Sequence, residues 1–283
     1  MKKFKIILPI ILLALTVFAS CGSREAPLKY GSAREALIGE GEVIHACGAL
    51  YDEETGGTVI HTNSYEALDQ NYDLGARVFE IDFNFTADGK LVCLHEWSGR
   101  FFPDKPEGVP LTEEEFLSYK IFGKYTHITL DMLAEFMKER PDVFVVTDIK
   151  DRCTEGASVI ASEYPGLTGR FIIQIYDPDE YDEIRSLGFD NVILTLYSLT
   201  LEEKLDTETI IDFAEEHELL AITFGAPLCD IDGYVEKMKA ADIPLLVHTV
   251  NGKALREKYL SMGISAVYTD YGKYREDVPE EIC

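Results

Sequence analysis

Beyond residue 41 the chain alternates between two patterns. Short apolar runs are separated by stretches whose apolar positions recur every three or four residues. The runs at 43–47, 77–85, 91–95, 143–149, 170–175, 191–196, 219–223, 244–249 and 266–269 are rich in Val, Ile, Leu and Phe, the mark of buried strands. The stretches at 64–72, 130–139, 155–164, 179–187, 202–216, 233–241 and 252–262 carry the helical period. Strands alternating with helices predict a parallel sheet covered on both faces, and their number suits a closed (β/α)8 barrel of the α/β class. There is one strand too many for eight. The link from 86 to 90 is too short for a parallel crossover and contains Asp88-Gly89, so it predicts a hairpin. The expected architecture is therefore a distorted TIM-type barrel with an extra β-hairpin arm. With Asp88-Gly89 as a two-residue loop, the register sets Asp82 opposite His95.

The N-terminus reads as targeting sequence rather than fold. Lys2, Lys3 and Lys5 precede an apolar stretch from 6 to 18, too short for a stable membrane span, and Ala19-Ser20-Cys21-Gly22 follows. The small residues ending at Cys21 resemble a bacterial lipobox, with Phe18 an atypical residue at its start. The alternative is an ordinary secretory signal with a coincidental cysteine. The expected division is 1–20 signal peptide, 21–41 polar tether and 42–283 one catalytic barrel domain. The expected location is the bacterial cell surface or periplasm, with lipid anchorage at Cys21.

Composition narrows the partners. There are 51 acidic against 26 basic residues, a net charge of −25, which argues against nucleic acid or an anionic membrane as a binding surface. An anionic substrate would need a local reversal of that field, which a bound divalent cation can supply. Of the six cysteines, five remain beyond Cys21, without CxxC or metal-ligand spacing, so no disulfide framework is indicated. Cys47 and Cys93 each lie two residues from a candidate histidine. They read as small buried residues, with an oxidised pair as the alternative.

Candidate chemistry gathers on a few strands. Glu80 and Asp82 stand at i and i+2 of one strand and so share a face, which is costly unless a cation or proton lies between them. Asp148 follows another apolar run, with Lys150 on its face. His45, His248 and Asp270 end further strands, where barrel sites form. Three carboxylates offer the hard oxygen donors that Ca²⁺ or Mg²⁺ prefer, and His45 and His95 offer an acid/base pair. Asn63 reads as part of a helix start, Asn63-x-x-Glu66. Asn251 and Asp270 read as closing strand-to-helix turns. His127 and His217 lie in polar stretches and are expected at the surface. Trp97, Phe101 and Phe102 read either as an aromatic wall over the pocket or as cover for the barrel end.

These motifs, in order, resemble the glycerophosphodiester phosphodiesterase family, within the phospholipase C-like phosphodiesterases. The family's opening His-Arg-Gly is similar to His45-Ala46-Cys47-Gly48, and its Asn-Ser/Thr-x-x-Ala to Asn63-Ser64-Tyr65-Glu66-Ala67. Its Glu-x-Asp, Thr-x-Asp-Gly and His-Asp elements resemble Glu80-Ile81-Asp82, Thr86-Ala87-Asp88-Gly89 and His95-Glu96. Its Glu-Ile-Lys resembles Asp148-Ile149-Lys150, and its closing elements resemble His248-Thr249-Val250-Asn251 and Thr269-Asp270. The resemblance covers about residues 43 to 272. It implies metal-dependent hydrolysis of a glycerophosphodiester or related polyol-phosphate diester, with one Ca²⁺ or Mg²⁺ on Glu80, Asp82 and Asp148. It also implies His45 as base, His95 as acid, and substrate contacts from Lys150, His248 and Trp97. The chain departs from the pattern where the family's phosphate-contacting Arg gives way to Ala46-Cys47. Its Trp becomes His248 and its Glu ligand becomes Asp148. His61, Arg100 and His248 are the candidates to replace the phosphate contact. The rival readings are cleavage of a lipid phosphodiester in the manner of phospholipase C or D, and a non-catalytic surface lipoprotein that binds phosphorylated polyols.

Overall fold

The computed structural model describes residues 28–149, 151–273 and 275. The signal segment, Cys21 and Lys150 lie outside the described residues. Eight parallel strands follow in order: β1 (Glu42–Ile44), β2 (Val78–Phe85), β3 (Phe144–Ile149), β4 (Phe171–Ile175), β5 (Val192–Thr195), β6 (Ala221–Gly225), β7 (Leu245–His248) and β8 (Ala266–Thr269). Each pairs with its neighbours in chain order, and β1 pairs with both β8 and β2, which closes the barrel. Alternate residues point inward, so Val43, Val78, Phe144, Val146, Ile172 and Leu246 fill the interior. The other face of each strand packs beneath the surrounding helices in a larger apolar cluster.

Part of the expected tether is folded. Helix α1 (Ala33–Glu40) starts at Ser32, whose hydroxyl accepts from the Glu35 N–H, and ends at Gly41 with a left-handed φ of 66°. Ala33, Ala36 and Leu37 are fully buried against the interior residues that open the strands, Val43, Val78 and Phe144. The helix therefore plugs the N-terminal end of the barrel, and the packed unit begins before residue 42. Its apolar stripe is short and mostly alanine, which is why the sequence reads as polar there. The predicted helix at 202–216 is two, Leu201–Leu205 and Thr207–Glu216, divided at Asp206, whose side chain accepts from the Thr209 N–H and caps the second.

The hairpin arm exists, but in a different register. The segment Leu91–Cys93 pairs antiparallel with β2, Phe83 opposite Cys93 and Phe85 opposite Leu91. The Thr86 N–H donates to Lys90 O at 2.8 Å, so the loop has three residues, Ala87-Asp88-Gly89, with Gly89 at φ 79°. This one-residue slip sets Asp82 across from Leu94, whose N–H donates to Asp82 O at 2.9 Å, rather than across from His95. His95 lies beyond the ladder and is exposed. A second antiparallel partner, Ile128–Thr129, and a small hairpin, Leu50–Asp52 with Gly57–Val59, complete the strands.

Two further expectations change. Trp97 is not a wall of the pocket: it is 7 % exposed and packs its ring 5.4 Å from Phe102 and 5.8 Å from Phe116. His127 joins the same cluster, fully buried, with Phe102 stacked at 5.2 Å and Phe116 at 4.4 Å. Burial lowers its pKa to about 4, so it is a neutral core side chain. Its polar sequence neighbours suggested the surface, but its bridge to Ser64 carries it inward.

Candidate active site

The C-terminal end of the barrel brings three carboxylates to one point. Asp82 on β2 and Asp148 on β3 are register partners in adjacent parallel strands, and Glu80 sits one pleat below Asp82 on the same face. One oxygen of each lies within 4.8 Å of the others. The three residues are 3 %, 1 % and 5 % exposed in the order Glu80, Asp82, Asp148. Burial, and then the charge of Asp82, push the Glu80 carboxyl well above the usual range. A donor set of hard oxygens under such mutual repulsion fits a hard divalent cation, Mg²⁺ or Ca²⁺, which would relieve both effects. Replacing the family's Glu by Asp148 does not remove that carboxylate from the cluster.

His45 is set beside the cluster by strand pairing. Ile44 and Thr269 are register partners on β1 and β8, so the next residues, His45 and Asp270, leave the barrel side by side. His45 Nδ1 and Asp270 Oδ1 are 2.8 Å apart, and His45 Nε2 lies 3.9 Å from Glu80 Oε2. Burial lowers the imidazole's pKa, but the hydrogen bond to Asp270 and the charges of Glu80, Asp270 and Asp82 outweigh it and raise the value to about 9. Asp270 falls well below the usual carboxylate range. Burial raises it, but hydrogen bonds from His45, His61 and Asn251 prevail. His61 Nε2 is 3.0 Å from the same Asp270 oxygen, and its ring meets His45 edge-on at 4.8 Å.

The turn after β1 is strained where it serves the site. Ala46 and Cys47 hold left-handed φ values of 48° and 67°, which costs about 1–3 kcal/mol each. The turn aims the Ala46 N–H at Glu80 Oε2, 2.8 Å away. Gly48 is obligatory next to it, since a Cβ would come within 2.7 Å of the Asn71 amide. That amide, on helix α2 (Tyr65–Asp73), donates to the carbonyls of Cys47, Ala49 and Ala67 and fixes the loop. Cys47 and Cys93 are free buried thiols.

Positioning residues surround the acids. Ser64, not Asn63, caps α2. The Asn63 amide instead donates to Asp82 Oδ2 at 2.8 Å and accepts from the Asp82 N–H at 3.2 Å. Asn251 clamps Asp270 in the same way, donating to Oδ2 at 2.6 Å and accepting from its N–H at 2.8 Å. The Tyr176 hydroxyl donates to Asp148, and it accepts from Gln174 Nε2 at 2.9 Å. The Tyr268 hydroxyl donates in turn to Gln174 Oε1. Tyr176→Phe is expected to weaken divalent-cation binding about 10-fold, since loss of a hydrogen bond to a ligand typically costs 10- to 100-fold. Calorimetric titration of the variant with Mg²⁺ checks this; unchanged affinity would detach Tyr176 from the cluster.

The other named residues divide. His95 lines the same cavity of about 160 Å³ as His45, His61, Asp82, Arg100 and Phe101. His248 does not line that cavity and sits edge-on to Tyr197 at 3.8 Å. Burial, then the charges of His45 and Lys204, lower its pKa to about 3, so it stays neutral. Tyr176, Gln174 and Tyr197 escaped the sequence reading because no motif marks them. The one available signal was that Tyr176 and Tyr197 follow strand ends.

Fold and site together define a parallel-barrel enzyme with a carboxylate cluster and histidines at the strand ends. The family model described as the glycerophosphoryl diester phosphodiesterase family matches residues 55–273, and the chain belongs to that family. It is accordingly a phosphoric diester hydrolase. No curated protein sequence matches the chain. Solved structures of the same fold include a glycerophosphodiester phosphodiesterase from Thermotoga maritima. It is 21 % identical, with TM-score 0.63, covering 81 % of this chain and 93 % of its own. Another, from Parabacteroides distasonis, is 18 % identical with TM-score 0.63, covering 82 % and 93 %. An Oleispira antarctica phosphodiesterase, solved with the product sn-glycerol-3-phosphate, is 15 % identical with TM-score 0.62, covering 84 % and 96 %.

Proposed function

We propose that the enzyme hydrolyses a glycerophosphodiester to an alcohol and glycerol phosphate, using one divalent cation and His45 with His95 as the acid/base pair. The observation that carries this reading is the convergence of Glu80, Asp82 and Asp148 within reach of an Asp270-held histidine. The relative crystallised with sn-glycerol-3-phosphate supports the product class. Mg²⁺ or Ca²⁺ on the three carboxylates would supply charge neutralisation to the non-bridging phosphate oxygens. Asp270 occupies Nδ1 of His45 and leaves Nε2 as the working nitrogen, turned toward the cluster. Once the charges of Glu80 and Asp82 are compensated, His45 loses two of the causes that hold it protonated and moves into the range of a base. His45 takes the proton of the attacking group, a neighbouring substrate hydroxyl or water, as its oxygen bonds to phosphorus, and His95, exposed on the cavity wall, protonates the leaving alcohol as the P–O bond breaks. The basic and apolar N-terminal segment and the lipobox-like residues ending at Cys21 support export and lipidation, and with them a reaction at the cell surface or in the periplasm on small or polymeric diesters.

The test is turnover of glycerophosphocholine, glycerophosphoethanolamine and glycerophosphoinositol by the purified enzyme with Mg²⁺, with Ca²⁺ and with chelator. Cation-dependent release of glycerol phosphate is expected. No turnover of any of them by the folded, cation-loaded protein would overturn the substrate assignment.

A further inference from the structure

The site has to bind an anion beside three buried carboxylates, on a chain of net charge −25. The cation that binds these acids is largely committed to them, so the phosphate needs a second positive group from the protein. Ala46, which lines the cavity next to His45, has no charge to offer. We propose that Arg100, from the loop following the hairpin arm, is the phosphate-binding residue of this enzyme; the proposal rests on the phosphodiesterase reading above.

Among the described residues that line the cavity, Arg100 is the one permanently charged cation. Its guanidinium, though exposed, has partners that orient it. Nη2 donates to Ile60 O at 3.0 Å, and the group lies 5.2 Å from the Phe101 ring and 5.5 Å from the Phe122 ring. A planar guanidinium anchored by one N–H still presents others for a two-pronged contact with phosphate oxygens. Both alternatives suggested by the sequence have other roles. His61 spends Nε2 on Asp270 and so belongs to the positioning of His45. His248 packs against Tyr197, does not line this cavity, and is neutral. The Ile60 contact also ties Arg100 to the strand end that leads into His61 and Asn63. Phosphate capture and the placement of Asp82 and Asp270 thus share one piece of backbone.

The experiment measures binding of sn-glycerol-3-phosphate to the Mg²⁺-loaded enzyme by calorimetry, together with kcat and KM on glycerophosphocholine. Arg100→Ala is expected to weaken glycerol phosphate binding and raise KM by about 10- to 100-fold, the worth of a hydrogen-bonded charge. Its Mg²⁺ affinity should be unchanged and kcat should fall by less than KM rises. Arg100→Lys should recover part of the loss, because it restores charge without the fork. Binding by Arg100→Ala within twofold of wild type would overturn the proposal, and so would failure of the wild type to bind glycerol phosphate. The binding measurement needs no turnover. A wild type that binds glycerol phosphate but cleaves no glycerophosphodiester would sink the substrate assignment and leave the role of Arg100 standing.

Discussion

His45→Ala is expected to lower kcat by about 10²- to 10⁴-fold, the usual contribution of a positioned acid/base group. Its affinity for Mg²⁺ should stay near wild type, because the imidazole is 3.9 Å from Glu80 and is not one of the three carboxylates. Asp270→Asn is the companion variant. Its first effect would be on the titration of His45, which NMR of the imidazole protons reads directly. With its main hydrogen-bond partner neutralised, the pKa of His45 should fall from about 9 toward the ordinary 6.5. A second fall is expected when Mg²⁺ is added to the wild type, as the charges of Glu80 and Asp82 are compensated. If kcat survives in His45→Ala, the proton transfer belongs elsewhere. If the imidazole titrates near 6.5 in the wild type without cation, the electrostatic account of the site is wrong.

The cation itself should produce the other large effect. Chelation, or Asp82→Ala, is expected to abolish hydrolysis, and a cation that binds only the folded state raises the melting temperature. At a concentration 100-fold above its dissociation constant, the stabilisation is about 2.7 kcal/mol. Above pH 6.5 the pH dependence follows from the two raised groups. Glu80 has a folded pKa above its ordinary 4.5, so its protonated form stabilises the fold at low pH, and that contribution is lost as the pH rises through the raised value. His45 contributes fully below 6.5 and loses its contribution as the pH rises through about 9. The melting temperature of the cation-free protein should therefore fall as pH climbs from about 6.5 to 9, above the range in which the depressed His127 and His248 act in the opposite sense, and Mg²⁺ should flatten the curve. A cation-free melting temperature that rises over that interval would show that the acids are already compensated by other groups.

Much of this was legible in the sequence because parallel strands buried on both faces announce themselves. The apolar runs ending in His45, Asp148 and His248 gave the barrel and the end where its site lies. Glu80 and Asp82 could be placed on one face from spacing alone. What spacing could not give was anything that depends on a neighbouring strand. The meeting of Asp82 with Asp148, and of His45 with Asp270, is fixed by inter-strand register. Asn63 and Asn251 look like turn residues until the acids they clamp are beside them. The hairpin register was missed by one because Asp-Gly can sit in a two- or a three-residue loop, and Gly89 in the left-handed region serves the second. Helix α1 was missed for a different reason: its buried stripe is too short and too rich in alanine to register as amphipathic.

That plug also bears on which way an anchored enzyme would face. With the lipid anchor proposed at Cys21, eleven residues of chain lead to Ser32 at the foot of α1, a reach of at most about 40 Å. On that proposal the closed end of the barrel is the end that would be leashed to the bilayer, with the histidines and Arg100 at the opposite end. An enzyme so moored would have its site turned away from the lipids of the membrane that carries it. It would meet diesters arriving from the surrounding wall or medium first.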